Sequence, residues 1–164
     1  MNDRQDHIRR LAELIKDVDI AMLTTTTPQG RLVSRPLGTQ EVEFDGDLWF
    51  ATGADSGKVA EINANPHVNV AYASPHKNIY VSVAGTASVV DDRAKVDELW
   101  SPAMKRFFPE GKDDPRLRLI KVDAETAEYW EGPGTAFGKA LFFVTSSVTG
   151  DVGTMTDNER LDLR

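Results

Sequence analysis

The chain has 164 residues, and its 26 Asp and Glu outnumber 19 Lys and Arg, for a formal charge of −7. It has no cysteine, which excludes a disulfide framework, a thiolate metal site and a cysteine nucleophile, and the acid excess argues against broad nucleic-acid binding. A 40% hydrophobic content suits one globular domain over residues 1–164, while no stretch approaches the ~20 apolar residues of a membrane span and no signal core is seen, so a cytoplasmic protein is expected.

In chain order, Ile8, Leu11, Ala12 and Ile15 recur at helical spacing, joined by Leu14 and Val18, and predict an amphipathic first helix. From Ile20 to Thr26 the composition turns β-prone, and Thr27-Pro-Gln-Gly30 closes that run with a turn. Leu32–Thr39 returns as a second strand. Asp45-Gly46 is a two-residue hairpin signal and Leu48–Thr52 a third strand, so this region reads as an antiparallel meander. Asp55 or Ser56 caps a short helix whose inner face is Val59 and Ile62, stopped by Asn65-Pro66. Val68–Tyr72 and Ile79–Val90 are further strands, with Gly85 placed for a bend or bulge that curls the sheet.

Asp91-Asp92 opens a helix that carries Val96, Leu99 and Trp100, and Ser101-Pro102 starts a second turn over Met104–Phe108. Arg116–Trp130 reads as a long strand, broken near Asp123. Ala140–Val148 is apolar and ambiguous between helix and strand, and residues 150–164 read as a loose tail. Six strands with short helices between them, and no βαβα alternation, predict a mainly β (α+β) chain: a small antiparallel barrel or curled sheet with peripheral helices.

Conventional catalytic arrangements are thin. His7, His67 and His76 sit at unrelated spacings, which argues against a metal site, and neither a Gly-x-Ser-x-Gly elbow nor a Gly-rich nucleotide loop is present. Two segments are more informative. In Ser34-Arg35-Pro36-Leu37, the proline places the strand at an edge or bulge, and Arg35 offers a planar fork of donors suited to phosphate. The competing reading is a surface ion pair of Arg35 with Glu41, Glu43 or Asp47. In Thr52-Gly-Ala-Asp-Ser56-Gly57-Lys58, a strand runs into a helix start, where free N–H groups, a hydroxyl, a glycine and a lysine suit an anion. Here the competing reading is a plain cap with a solvated lysine. Two donor-rich cationic elements on consecutive parts of one sheet, with Leu48-Trp49-Phe50 as an apolar wall between them, suit a phosphorylated flat cofactor.

At these residues the sequence resembles the general stress protein 26 branch of the pyridoxamine 5′-phosphate oxidase-like, flavin-binding split-barrel proteins. The likeness runs in consistent order over residues 8–131. It includes Ala21–Thr25, Ser34–Leu37, Leu48–Thr52, Ser56–Lys58, Asn65–Val68, Val83–Gly85, Leu99–Pro102, Phe107–Pro109, Asp113–Pro115 and Ala127–Trp130. The resemblance implies a six-stranded split β-barrel that binds FMN, with FAD as the alternative, at the interface of a homodimer. It implies that Arg35, Ser56 and Lys58 hold the cofactor phosphate, with Ser34 and Gly57 also among the cofactor-binding residues. Pro36, Leu37, Phe50 and Thr52 would line its ring and ribityl chain. Trp100 is the candidate supplied to the partner protomer, with core packing of its own helix as an equal alternative. The C-terminal Thr156–Arg164 lacks the Arg- and Trp-bearing substrate segment of the true pyridoxamine phosphate oxidases, so oxidation of vitamin B6 is not expected, and the family's usual methionine after Arg-Pro is Leu37.

The expected function is therefore that of a flavin-dependent oxidoreductase of unassigned substrate, in which the cofactor carries the redox chemistry. A non-catalytic flavin or nucleotide module acting as a store or sensor is the alternative. A third reading, single-stranded nucleic-acid binding, draws on Lys105–Lys121, where six basic residues face three acidic ones around Phe107 and Phe108, but the overall charge opposes it. Neither nucleic acid nor membrane is expected as a partner.

Overall fold

Alternating apolar residues bury every second side chain of the β-prone runs, and the computed structural model, which describes residues 3–40, 43–133 and 157–164, curls these runs into one antiparallel sheet. Helix α1 (Asp3–Ile15) precedes β1 (Ile20–Thr26), β2 (Leu32–Gly38) and β3 (Asp47–Gly53). Helix α2 (Gly57–Ala64) leads to β4 (His67–Ser74) and β5 (Ile79–Val90). Helix α3 (Arg93–Leu99) and two 3-10 turns, Pro102–Arg106 and Gly111–Asp113, lead to β6 (Leu117–Glu131) and then β7 (Asp157–Asp162). The strands lie in the order β2-β1-β4-β5-β6-β3, with β7 also paired to β6. None of the described helices is long and apolar enough to cross a membrane.

The mainly β reading stands, with seven strands where six are expected. The additional strand comes from the segment read as a loose tail. Leu161 and Leu163 are 1% exposed, and β7 ladders onto the second half of β6, so two apolar side chains hold this segment to the barrel. The apolar run Ala140–Val148 lies outside the described residues.

The meander is corrected at its third strand. β1 and β2 form the expected hairpin, but β3 pairs with β6 from Asp47↔Asp123 to Gly53↔Leu117. Gly46 does turn the chain, at φ +121°, and its carbonyl accepts from Ala124 N–H at 3.0 Å, which steers β3 toward β6. β6 is continuous rather than broken near Asp123. Ala84 faces Thr126 while Gly85 faces Ala124, so Glu125 is bulged out and the strand bends there. The second helical turn is the 3-10 segment Pro102–Arg106, which ends before Phe107 and Phe108.

Two apolar clusters result. Inside the barrel, Leu11 and Leu14 of α1 pack with Leu23, Phe50, Val70, Val83, Ile120 and Val122. Outside it, Val96, Leu99, Met104 and Phe108 pack on Leu117 and Leu119, with Trp49 and Trp100 against them. Because β2 and β3 end the strand order, the barrel is split between them. Pro36 supplies no N–H to a ladder, which an edge strand tolerates.

Candidate functional site

The seam between β2 and β3 holds a cavity of about 430 Å³, walled by Pro36 and Leu37 on one side and by Ala51, Thr52 and Gly53 on the other. Lys58 of α2 lines it, as do Asp55, Met104, Phe107, Phe108 and Arg116. The strand register explains the arrangement. Arg35 and Leu37 sit on the inward row of β2, while Thr52 follows Leu48 and Phe50 on the buried row of β3.

Thr52 is 4% exposed, and its Oγ1 has no hydrogen-bond partner among the described residues. A buried hydroxyl with no partner costs about 1–3 kcal/mol, and here it borders the cavity. Lys58 donates from Nζ to Ser56 Oγ at 2.6 Å. Burial, and after it the charge of Arg35, push the Lys58 ammonium below the usual lysine range. Ser56 therefore takes the N-cap position of α2 without bonding its backbone, since its hydroxyl serves Lys58.

Arg35 is paired, though with none of the acids suggested by sequence proximity. Its Nη2 donates to Glu61 Oε2 at 2.9 Å and its Nη1 to Thr25 Oγ1 at 2.8 Å, while Thr25 donates to the same Glu61 oxygen. Thr25 and Arg35 together hold the Glu61 carboxyl below the ordinary range, the Thr25 hydrogen bond contributing most. A guanidinium has five N–H donors, so Arg35 keeps spare donors beside Lys58. The charges of Arg35 and Lys58 act on each other, and Glu61 attracts both, while Arg35 itself does not line the cavity.

The other expected residues divide. Gly57 is the first residue of α2, and a Cβ there would meet nothing within 4 Å. Ser34 lies on the outer face, bonded to Thr24 Oγ1 at 2.6 Å, away from Arg35. Phe50 is 1% exposed in the barrel core and borders a different cavity, of about 380 Å³, beneath α1. Trp100 packs in the outer cluster and does not line the seam. Sequence reading missed Thr25 and Glu61, which reach Arg35 from separate elements. It also missed Arg116, which lines the cavity, and gave Phe107 no place beside it.

Comparison with known proteins places the chain in a family. The family described as pyridoxamine 5′-phosphate oxidase like matches residues 6–153. The chain belongs to that family. Among relatives of this oxidase-like family, the protein bli-3 of Neurospora crassa is 30% identical over 158 residues, covering 90% of this chain and 76% of its own. General stress protein 26 of Bacillus subtilis is 31% identical over 81 residues, covering 48% of this chain and 57% of its own. In fold, a general stress protein 26-type structure from Jannaschia sp. CCS1 superposes with a TM-score of 0.75 at 22% identity, covering 97% of this chain and 99% of that one. The general stress FMN/FAD binding protein of Xanthomonas citri superposes with a TM-score of 0.67 at 27% identity, covering 77% and 89%. The recognised branch and the split-barrel architecture agree with these likenesses.

Proposed function

We propose that the seam cavity binds a flavin, FMN in preference to FAD, and that the chain acts as a flavin-dependent oxidoreductase in a homodimer. The observation that carries this is the meeting in one cavity of Lys58, the Thr52 hydroxyl that lacks a partner among the described residues and the Pro36–Leu37 wall, with the charge of Arg35, the residue before that wall, felt at Lys58. The residues fit the group. Spare donors of Arg35 and the ammonium of Lys58 would hold the terminal phosphate, and a monoester dianion matches two neighbouring cations. Thr52 would give its hydroxyl to the polar part of the cofactor, and Pro36 and Leu37 would exclude water from the ring. A bound flavin supplies one- and two-electron transfer, while the protein positions it and tunes its electronics. The flavin-binding function of the Xanthomonas citri protein supports the reading.

The homodimer is supported by the outer face of the sheet. Met22 lies between Pro36 and Ala71, and Ala71 faces Ser82. Ile20, Met22 and Tyr80 on this face are 56%, 40% and 42% exposed. From β2 across β1 and β4 to β5 the outward rows carry no Asp, Glu, Lys or Arg. In a chain of charge −7, this is where two copies can meet without opposing carboxylates. Pro36 belongs both to this face and to the cavity wall, so a partner here would border the flavin.

A non-catalytic flavin store or sensor is the second reading, favoured by a cavity lining that contains no histidine and Asp55 as its one carboxylate among the described residues. The test of flavin binding is the visible spectrum of the purified protein and calorimetric titration with FMN. Arg35→Ala and Lys58→Ala are each expected to weaken FMN binding about 10–100-fold, the worth of a charge-assisted contact, with unchanged circular dichroism. Unchanged affinity in both variants rejects the site. Turnover of NADH or NADPH with an acceptor then separates the oxidoreductase from the store.

A further inference from the structure

The second cavity, of about 380 Å³ beneath α1, is distinct from the proposed flavin seat. Leu48 and Phe50 of β3 and Tyr72 of β4 wall it, and Ala12 and Ile15 of α1 and Phe44, which precedes β3, complete the apolar lining. None of these six residues borders the seam, although Thr39 and Gln40, just past β2, border both cavities. An apolar protein cavity of about 150 Å³ takes up benzene. This one has room for a substituted ring or two fused ones.

Tyr72 marks the space as more than a packing gap. It lies on the inward row of β4 with Val68 and Val70 and is 4% exposed, yet its hydroxyl makes no hydrogen bond among the described residues. A buried phenol ordinarily finds a partner, and leaving it without one is costly. Burial alone pushes the Tyr72 phenol well above its ordinary range, so the group stays protonated and able to donate. Among the six lining side chains this hydroxyl is the one polar group. A tightly held water needs two to four polar partners, which that interior does not offer.

Charges at the mouth select against anions. Glu13, Glu43 and Asp47 line the cavity, with Lys16 as the one cation of the described lining. Lys16 is already paired with Glu13 at 3.1 Å, and Asp47 with Lys121 at 3.0 Å. An entering carboxylate or phosphate would meet a surplus of negative charge, and a cation would lose its hydration against apolar walls.

We propose that this cavity binds a small uncharged aromatic molecule of one or two rings, seated against Phe44, Phe50 and Ile15, with a carbonyl or ether oxygen that accepts from the Tyr72 hydroxyl. The inference rests on residues outside the seam and stands whether or not the seam takes a flavin.

The test titrates acetophenone, toluene and benzoate into the purified protein by calorimetry. Acetophenone is expected to bind saturably, about fivefold tighter than toluene, which has the ring but no acceptor, and about tenfold or more tighter than benzoate. Tyr72→Phe removes the hydroxyl and keeps the ring, so acetophenone should fall to the affinity of toluene while toluene is unmoved. Ala12→Leu retains a good helix former and fills the cavity from α1. It should weaken both neutral compounds with unchanged circular dichroism, and where it fails to fold, Tyr72→Phe decides by itself. Acetophenone affinity should stay within about twofold in the presence of saturating FMN and in Lys58→Ala. No saturable binding, benzoate bound as tightly as acetophenone, or acetophenone affinity unchanged in Tyr72→Phe or in a folded Ala12→Leu overturns the site. Competition by FMN, or loss of acetophenone binding in Lys58→Ala, overturns it as well by moving the ligand to the seam.

Discussion

At the scale of single residues, Thr52 is the sharpest probe of the site, because its hydroxyl has a cost and no compensating partner among the described residues. Thr52→Val keeps the shape and removes the buried polar atom. The free protein is expected to gain about 1 kcal/mol in urea denaturation while its FMN affinity falls several-fold in titration. A variant more stable and equally avid would place the hydroxyl against no ligand. Arg35 shows what was legible at this scale. Its neighbouring proline predicts an edge strand, and β2 does end the strand order, with the charge of Arg35 felt at Lys58. Its counterion was not legible. Glu61 is on α2, 26 positions along the chain, and meets Arg35 only because β1, β2 and α2 pack together. The resemblance grouped Ser34 and Phe50 with the site, while strand alternation sends Ser34 outward and Phe50 into the barrel.

At the scale of elements, the bulge between β5 and β6 controls how the sheet curls. A Cβ on Gly85 would lie 2.3 Å from the Asp123 carbonyl oxygen, a backbone atom that cannot swing aside. Gly85→Ala is therefore expected to destabilise the fold by about 2–4 kcal/mol in equilibrium urea unfolding, with loss of FMN binding only as the protein unfolds. A cost near zero would mean that the ladder shifts freely there. The glycine within an alternating strand made this bend readable. The Asp45-Gly46 turn was equally readable, but the partner of the strand it starts was not, since β3 ladders on a segment about 70 residues further on. Likewise Leu161 and Leu163 look like an unpatterned tail until β6 provides the edge they pack against.

At the scale of the whole molecule, the uncharged outer face and the cavity share Pro36, so assembly and cofactor binding are predicted to be coupled. Sedimentation of the wild-type protein is expected to show a dimer. Met22→Lys, at a position 40% exposed within one chain, should give a folded monomer of unchanged thermal stability per chain and weaker FMN affinity. A wild-type monomer that binds FMN would overturn the shared interface.

The amino-acid sequence by itself determined the β-rich class, the first helix, the hairpin of β1 and β2, the bulge at Gly85 and the two segments that supply Arg35 and Lys58. Those features follow from local periods, turn chemistry and residue type, which act over a few neighbouring positions. Only the tertiary structure decided that β2 and β3 end the sheet and leave a seam, that Glu61 and Thr25 hold Arg35, and that Phe107 and Arg116 face the same cavity. Long-range strand pairing is selected by burial of complementary faces across the whole chain, and no local pattern records that choice.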